Sequence, residues 1–243
     1  VALREIWDRA AQAWGNFAAS PDHDHLYWAF HRLRFLDLLP PPGRLTVDLG
    51  AGEGRLTAEL ARAGHRVVAI DSSPAMVSRA VQRADVGRAL VGDASRLPLP
   101  DSVADLAVAF MSLQDMDDLA TAVAEGARVL CPGGRFCLAV AHPVRSAGGF
   151  ESKDPGSPFT IAGSYFERRP WPWRHSHSGM TISIPSEHRP LEAYSAALED
   201  AGLLIESLRE PAPDPEAVAG RPPLLRWTRL PCFLHIRALK PPR

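Results

Sequence analysis

The sequence predicts an α/β chain: a mostly parallel sheet with helices on both faces. Three observations predict it. Short apolar runs alternate with segments of helical period from about residue 45 to residue 142. The runs end in glycine, acidic or small polar residues, at Asp48-Leu49-Gly50-Ala51-Gly52, Asp71-Ser72, Gly92-Asp93-Ala94 and Met111-Ser112. Glycine and proline punctuate the helical segments. Repeated βα units of this kind join parallel strands through crossover helices, which then cover both sheet faces.

In chain order, residues 3–19 read as a first helix, closed by Pro21. Residues 25–39 read as a second, with Leu26, Phe30, Leu33 and Leu36 at helical spacing and Pro40-Pro41-Pro42-Gly43 as its stop. A strand over 45–49 leads to a helix over 54–63, ended by Gly64, and then to a strand over 66–71. Ser73-Pro74 supplies an N-cap and a first-position proline for the next helix. Residues 89–92 and 104–110 are strands. Asp117 and Asp118 open a helix to Leu130 and read as helix-terminal acids with no ligand role. Pro132-Gly133-Gly134 ends it, and 135–141 is a strand. The alternation breaks at Pro143. Residues 143–188 carry no βα unit, only a candidate hairpin of Thr160–Phe166 with Met180–Ile184. A helix over 190–201, a strand over 203–208, a proline-rich loop from Pro211 to Pro223 and a strand over 230–239 close the chain.

The 243 residues, 46% of them hydrophobic, suffice for one α/β domain with an insertion. A net charge of −1 gives no general basic footprint, so structured nucleic acid is not expected as a partner. Cys131, Cys137 and Cys232 are widely spaced in apolar surroundings and read as small core residues, which suits a cytoplasmic location. No apolar run reaches the roughly 18 residues of a membrane span. The stretch Val1-Ala2-Leu3-Arg4-Glu5-Ile6-Trp7 is amphipathic and carries an acid, unlike a signal peptide. His23-Asp24-His25 and His175-Ser176-His177 lie in loops, and neither is expected to bind metal.

The strand ends carry the chemistry. Gly50 and Gly52 let a ligand approach bare backbone. A dinucleotide fingerprint wants a third glycine where this chain has Arg55. Asp48 and Glu53 make the turn negative, which opposes a diphosphate and suits a cationic or zwitterionic ligand. Asp71, 19 residues after Gly52, is placed to accept both hydroxyls of a ribose. Asp93 is placed to accept from an adenine amino group. Each acid also has a local reading, Asp71 as a helix cap and Asp93 as a turn residue, and Met76 as plain core.

Val47-Asp48-Leu49-Gly50-Ala51-Gly52, Asp71, Gly92-Asp93-Ala94 and Leu130-Cys131-Pro132-Gly133-Gly134 together resemble the motif series of class I S-adenosyl-L-methionine (SAM)-dependent methyltransferases, in their small-molecule, type 11 branch. The resemblance covers residues 40–142 firmly. It implies a Rossmann-like seven-stranded mostly parallel sheet with an N-terminal helical lid (1–40), a SAM-binding core (41–142), a substrate cap inserted after strand five (143–189) and a C-terminal helix and strands (190–243). It also implies SAM contacts for Asp48 at the amino group, Gly50, Ala51 and Gly52 at methionine and ribose, and Asp71 at the ribose. Ser72 and Met76 would flank the adenosine, Gly92 and Asp93 would lie near adenine, and Ala94 and Met111 would line the pocket.

The expected activity is methyl transfer to O, N or C of a small aromatic or apolar metabolite. His142 at the fifth strand end, His188 before the next helix and Tyr165 in the insertion are the candidate bases, each with a purely structural alternative. The insertion around Trp171-Pro172-Trp173 reads as a lid over the acceptor, with a single-stranded nucleic acid platform as the rival. A homodimer is left open. The same fold also admits a SAM enzyme that cyclises or decarboxylates, a silent SAM-binding subunit, and, against Arg55, an NAD(P)-dependent oxidoreductase.

Overall fold

All four residues of Thr46–Leu49 (β1) are buried, as only an interior strand covered on both faces can be. In this computed structural model, residues 3–83, 85–177 and 180–242 are described. The side chains of His175, Ser176 and His177 fall outside that description, so the reading of that loop as metal-free stays an expectation.

Helix α1 (Leu3–Ala19) precedes a π-turn at Tyr27–His31 and a short α2 (Arg32–Leu36). After β1 come α3 (Arg55–Arg62), β2 (Val67–Asp71), α4 (Pro74–Ala80), β3 (Ala89–Val91) and β4 (Ala104–Phe110). A 3-10 turn (Leu113–Asp115), α5 (Leu119–Val129) and β5 (Leu130–Ala141) complete the central units. Then follow α6 (Pro143–Ala147), β6 (Gly148–Phe150), β7 (Phe159–Ile161), β8 (Arg169–Pro170), β9 (Trp173–His177), β10 (Met180–Ile184) and β11 (Glu187–His188). The chain ends through α7 (Leu191–Asp200), β12 (Leu204–Arg209), two single-turn helices at Pro215–Val218 and Pro222–Leu225, and β13 (Phe233–Leu239).

The seven-stranded sheet runs β12-β13-β5-β4-β1-β2-β3. β1 to β5 pair in parallel, and β13 is antiparallel to both β5 and β12. Strand order reverses between β1 and β4, where the crevice outside the carboxyl ends opens. Core side chains on the two faces form separate clusters. Leu49, Ile70, Phe136 and Leu138 pack on one side, and Leu56, Leu106, Val108 and Cys137 on the other.

The sequence-based outline is corrected at five places. The second helix ends at Leu36 and carries the π-turn, whose extra residue rotates the buried face. Tyr27, Phe30, His31 and Phe35 therefore point inward, and Leu33 is 46% exposed. β5 begins at Leu130, because Pro132-Gly133-Gly134 bulges the strand instead of preceding it. In the insertion β7 pairs with β6, and β10 pairs with β9, so the expected partnership of Thr160–Phe166 with Met180–Ile184 does not form. Two helical turns interrupt the proline-rich loop, each with proline in its first turn. Cys131 is only half-buried, and its thiol contacts the Ser102 carbonyl at 2.9 Å and the Arg44 guanidinium at 2.6 Å.

Gly126 of α5 lies against the Phe136 ring of β5, where an added Cβ would sit 2.1 Å from a ring carbon. Gly126→Ala is therefore expected to destabilise the chain by about 1–3 kcal/mol through overpacking, in spite of alanine's better helix propensity. Urea unfolding measures it.

Candidate active site

Four turns at the carboxyl ends of β1 to β4 build the site. After β1, Gly50 and Gly52 take φ of 68° and 58°. A Cβ on Gly50 would lie 2.5 Å from the Ser112 side chain, whereas one on Gly52 would meet nothing within 4 Å. Gly50 thus allows the turns after β1 and β4 to touch, and Gly52 leaves open space for a ligand. After β2, Asp71 accepts the Gly52 amide at 2.8 Å and the Ser73 amide at 2.9 Å. Ser73 is the N-cap of α4 and accepts from the Met76 amide. After β3, Asp93 accepts from the Ser95 amide and hydroxyl in a tight turn. After β4, Met111 takes a left-handed φ of 56°, costly for a side chain of its kind.

These turns enclose a cavity of about 210 Å³. Asp48, Gly50, Ala51, Gly52, Asp71, Ser72, Met76, Gly92, Asp93, Ala94 and Met111 all line it. Met76 is core and cavity wall at once, being also buried in the packing of α4.

The cavity is acidic. Among the described residues, Asp48, Glu53, Asp71, Asp93, Asp115, Asp117 and Asp118 border it, against one guanidinium, Arg55. Arg55 is already committed: it pairs with Asp24 at 2.6 Å and lies over the rings of Tyr27 at 3.8 Å and Trp14 at 5.1 Å. Burial raises the Asp48 carboxyl to about 7, opposed by a 2.6 Å hydrogen bond from the Thr57 hydroxyl and assisted by the nearby charges of Asp71 and Glu53. Burial also raises Asp71, although the amides of Ser73 and Gly52 hold it back.

Helix α1 roofs the cavity with Leu3, Trp7 and Trp14. The Trp14 indole donates to Glu53 at 2.8 Å, and Asp8 accepts from the Ser73 hydroxyl and the Ala75 amide. The Trp7 indole nitrogen is buried with no hydrogen-bond partner. Among the described residues, none of 143–189 lines this cavity; instead Ile182 and Ile184 of β10 and Trp173 of β9 pack behind α1 against Phe17 and Trp14.

The three candidate bases stand elsewhere. His142 caps α6: its Nδ1 accepts from the Val144 amide, and its Nε2 meets Glu210 at 2.8 Å. His188 is buried between the Ser146 hydroxyl at 2.7 Å and the Tyr165 carbonyl at 2.8 Å. The Tyr165 hydroxyl accepts the Leu191 amide at the start of α7. All three are saturated by local partners and border no part of the cavity. Asp117 and Asp118, read as helix acids alone, border the cavity, and Asp118 is also the N-cap of α5. Asp115 and Met116 were not foreseen; only their nearness to the end of β4 hinted at them. No group of three or more His, Cys, Asp or Glu side chains among the described residues is arranged to hold a metal ion.

The reversed-order parallel sheet thus sets an acid-and-glycine cavity at its carboxyl edge, where open α/β sheets bind their ligands. Residues 47–138 match the family model described as a methyltransferase domain. The chain is 35% identical over 164 residues to the ubiquinone/menaquinone biosynthesis C-methyltransferase of Caulobacter sp., covering 60% of this chain and 63% of that protein. It superimposes on an S-adenosylmethionine-dependent methyltransferase from Mesorhizobium loti with a TM-score of 0.72, at 26% identity, over 85% of this chain and 96% of that one. The cyclase SpnF shares the fold alone, with a TM-score of 0.67 at 19% identity over 99% of this chain and 95% of its own. Residues 47–138 are thus similar to a methyltransferase domain, and the chain shares the fold of S-adenosylmethionine-dependent methyltransferases. It spans less than two thirds of the length of the curated relatives it matches. No helix among the described residues is long and apolar enough to cross a membrane.

Because Asp48 keeps a proton that the unfolded chain gives up above its ordinary value of 3.8, its burial costs stability as pH rises from about 4 to about 7. Asp48→Asn keeps an acceptor for Thr57 and is expected to flatten part of that decline, with a melting temperature above wild type near neutral pH in the ligand-free chain. Thermal unfolding across pH decides it.

Proposed function

We propose that the chain transfers a methyl group from SAM to a small, planar acceptor. The observation that carries this reading is the acidic cavity at the switch point, whose single arginine is already neutralised. Such a cavity lacks a cation, and SAM carries an ammonium and a sulfonium. Asp48 and Glu53 suit the ammonium. Each Asp71 oxygen accepts one amide, and a carboxylate oxygen has a second lone-pair site for a ribose hydroxyl. Gly50, Ala51 and Gly52 give backbone contact along the methionine and ribose, Ser72 and Met76 flank the adenosine, and Gly92, Asp93 and Ala94 take the adenine end. Bound SAM supplies an electrophilic methyl group on a positively charged sulfur.

The rest of the chain aligns the acceptor and keeps water out. Alignment of this kind is worth roughly 7–11 kcal/mol of a bimolecular barrier. Trp7, Trp14, Phe110, Met111 and Met116 give part of the cavity wall an aromatic and thioether character, which favours an aromatic or apolar acceptor. Residues 1–40 act as the lid, 41–142 as the cofactor core, 143–189 as its brace, and 190–243 completes the sheet.

Calorimetry is expected to give micromolar SAM affinity that tightens as pH rises through about 7, since Asp48 must ionise to pair with the ammonium. Asp71→Ala removes a carboxylate from three or four hydrogen bonds and is expected to weaken SAM by about tenfold or more. Product mass tests the reaction itself. A gain of one methyl group supports transfer, and SAM-dependent conversion without that gain moves the chain to a non-methylating reaction.

A further inference from the structure

Asp115 is an acid of the cavity placed by residues from far along the chain, Ser186 and Arg189. It ends the 3-10 turn after β4 and borders the cavity beside Met116 and Ser112. The Ser186 hydroxyl donates to its Oδ1, and the Gln114 amide approaches Oδ2 only at 3.5 Å. Arg189, 3% exposed, clamps this turn: it donates to the carbonyls of Leu113 at 3.2 Å, Gln114 at 3.3 Å and Met116 at 2.6 Å. The same guanidinium pairs with Glu187 at 2.6 Å and hydrogen-bonds the backbone of the turn rather than the Asp115 carboxylate itself. Tyr194 of α7 faces the group from behind, and Asp117 and Asp118 follow on its own loop. Three backbone carbonyls and a serine therefore hold the carboxyl still while its second oxygen is left without a strong donor. That is the arrangement of a group kept for a ligand.

We propose that Asp115 is the base of the acceptor site, and that the acceptor is a planar compound with a weakly acidic hydroxyl, a phenol or an enol; this rests on the methyltransferase reading. The O–H bond of the acceptor breaks and its proton passes to the Asp115 carboxylate. The oxygen's electron pair forms the new O–CH₃ bond. The methyl carbon–sulfur bond breaks, its pair stays on sulfur, and the sulfonium charge is discharged. No further reactant is needed. Burial, opposed by Ser186 and Arg189, lifts the Asp115 carboxyl to about 8. A base of that strength is matched to hydroxyls of similar acidity, which phenols and enols have and aliphatic alcohols lack.

The test uses the full chain with SAM and three probes, naphthol, catechol and para-nitrophenol, with aniline as the nitrogen control. Wild type is expected to methylate the phenols at oxygen, with a rate that falls as pH drops and Asp115 takes up a proton. Asp115→Asn is expected to keep SAM affinity by calorimetry and naphthol affinity in the S-adenosylhomocysteine complex. Its kcat on naphthol should fall by about 10²–10⁴-fold, and the acidic limb of the pH profile should vanish. The deficit should shrink for para-nitrophenol, which is largely ionised without help. Asp115→Glu should restore part of the rate and the acidic limb, and it serves alone if the asparagine variant does not fold. Failure to bind SAM sinks the methyltransferase reading itself. SAM binding without transfer to any phenol, transfer to aniline alone, or an equal loss on all three phenols overturns the role of Asp115.

Discussion

The Asp71 carboxylate fixes the geometry on which the site depends. With one oxygen on the Gly52 amide and the other on the Ser73 amide, it ties the turn after β1 to the turn after β2. Ser73 passes the constraint on, because its hydroxyl both caps α4 and donates to Asp8 of α1. One buried acid therefore sets the glycine turn, the start of α4 and the seat of the helix that roofs the cavity. Burial alone would drive the carboxyl toward its neutral form, and the two amides oppose that. Loss of the charge would loosen all three elements together.

The same electrostatics explain why Arg55 stands where a dinucleotide site has glycine. Its guanidinium spans the Tyr27 and Trp14 rings and reaches Asp24, joining the turn after β1 to the N-terminal segment. A glycine there would free the helix start for a pyrophosphate and leave Asp24 and two aromatic rings without their cation. The acidic wall and the committed arginine are thus one design. Negative charge is left over inside the cavity, and the Arg55 charge is bound into the roof.

The cofactor edge was legible in the sequence because each of its parts is local. Gly50, Asp71 and Asp93 stand at fixed offsets from strands whose apolar runs are unmistakable, and the Ser73-Pro74 helix start is a four-residue signal. The second helix was misjudged at Leu33 because a π-turn shifts the inward face by one residue, and no side-chain period announces the extra residue. The insertion was misjudged because hairpin pairing depends on where its turns fall, and 143–188 offers too many glycines and prolines to choose among. For His142, His188 and Tyr165 the sequence left a catalytic and a structural role side by side, because their partners, Glu210, Ser146 and the Leu191 amide, are set by tertiary packing.

The acceptor edge was the least legible part, and the reason is physical. Its turn, Leu113 to Met116, adds to its own local hydrogen bonds a clamp by Arg189 across a separation of more than 70 residues. Its roof, α1, is braced from behind by β9 and β10, a contact that no local pattern encodes. A site divided in this way separates two tasks. The carboxyl-edge turns can keep one cofactor in place through short-range hydrogen bonds. The turn after β4 can be re-aimed by changes at Ser186, Glu187 or Arg189 without touching Gly52 or Asp71. On the proposed reading, acceptor choice is governed by the clamp around Asp115 rather than by the glycine and acid turns at the ends of β1 and β2.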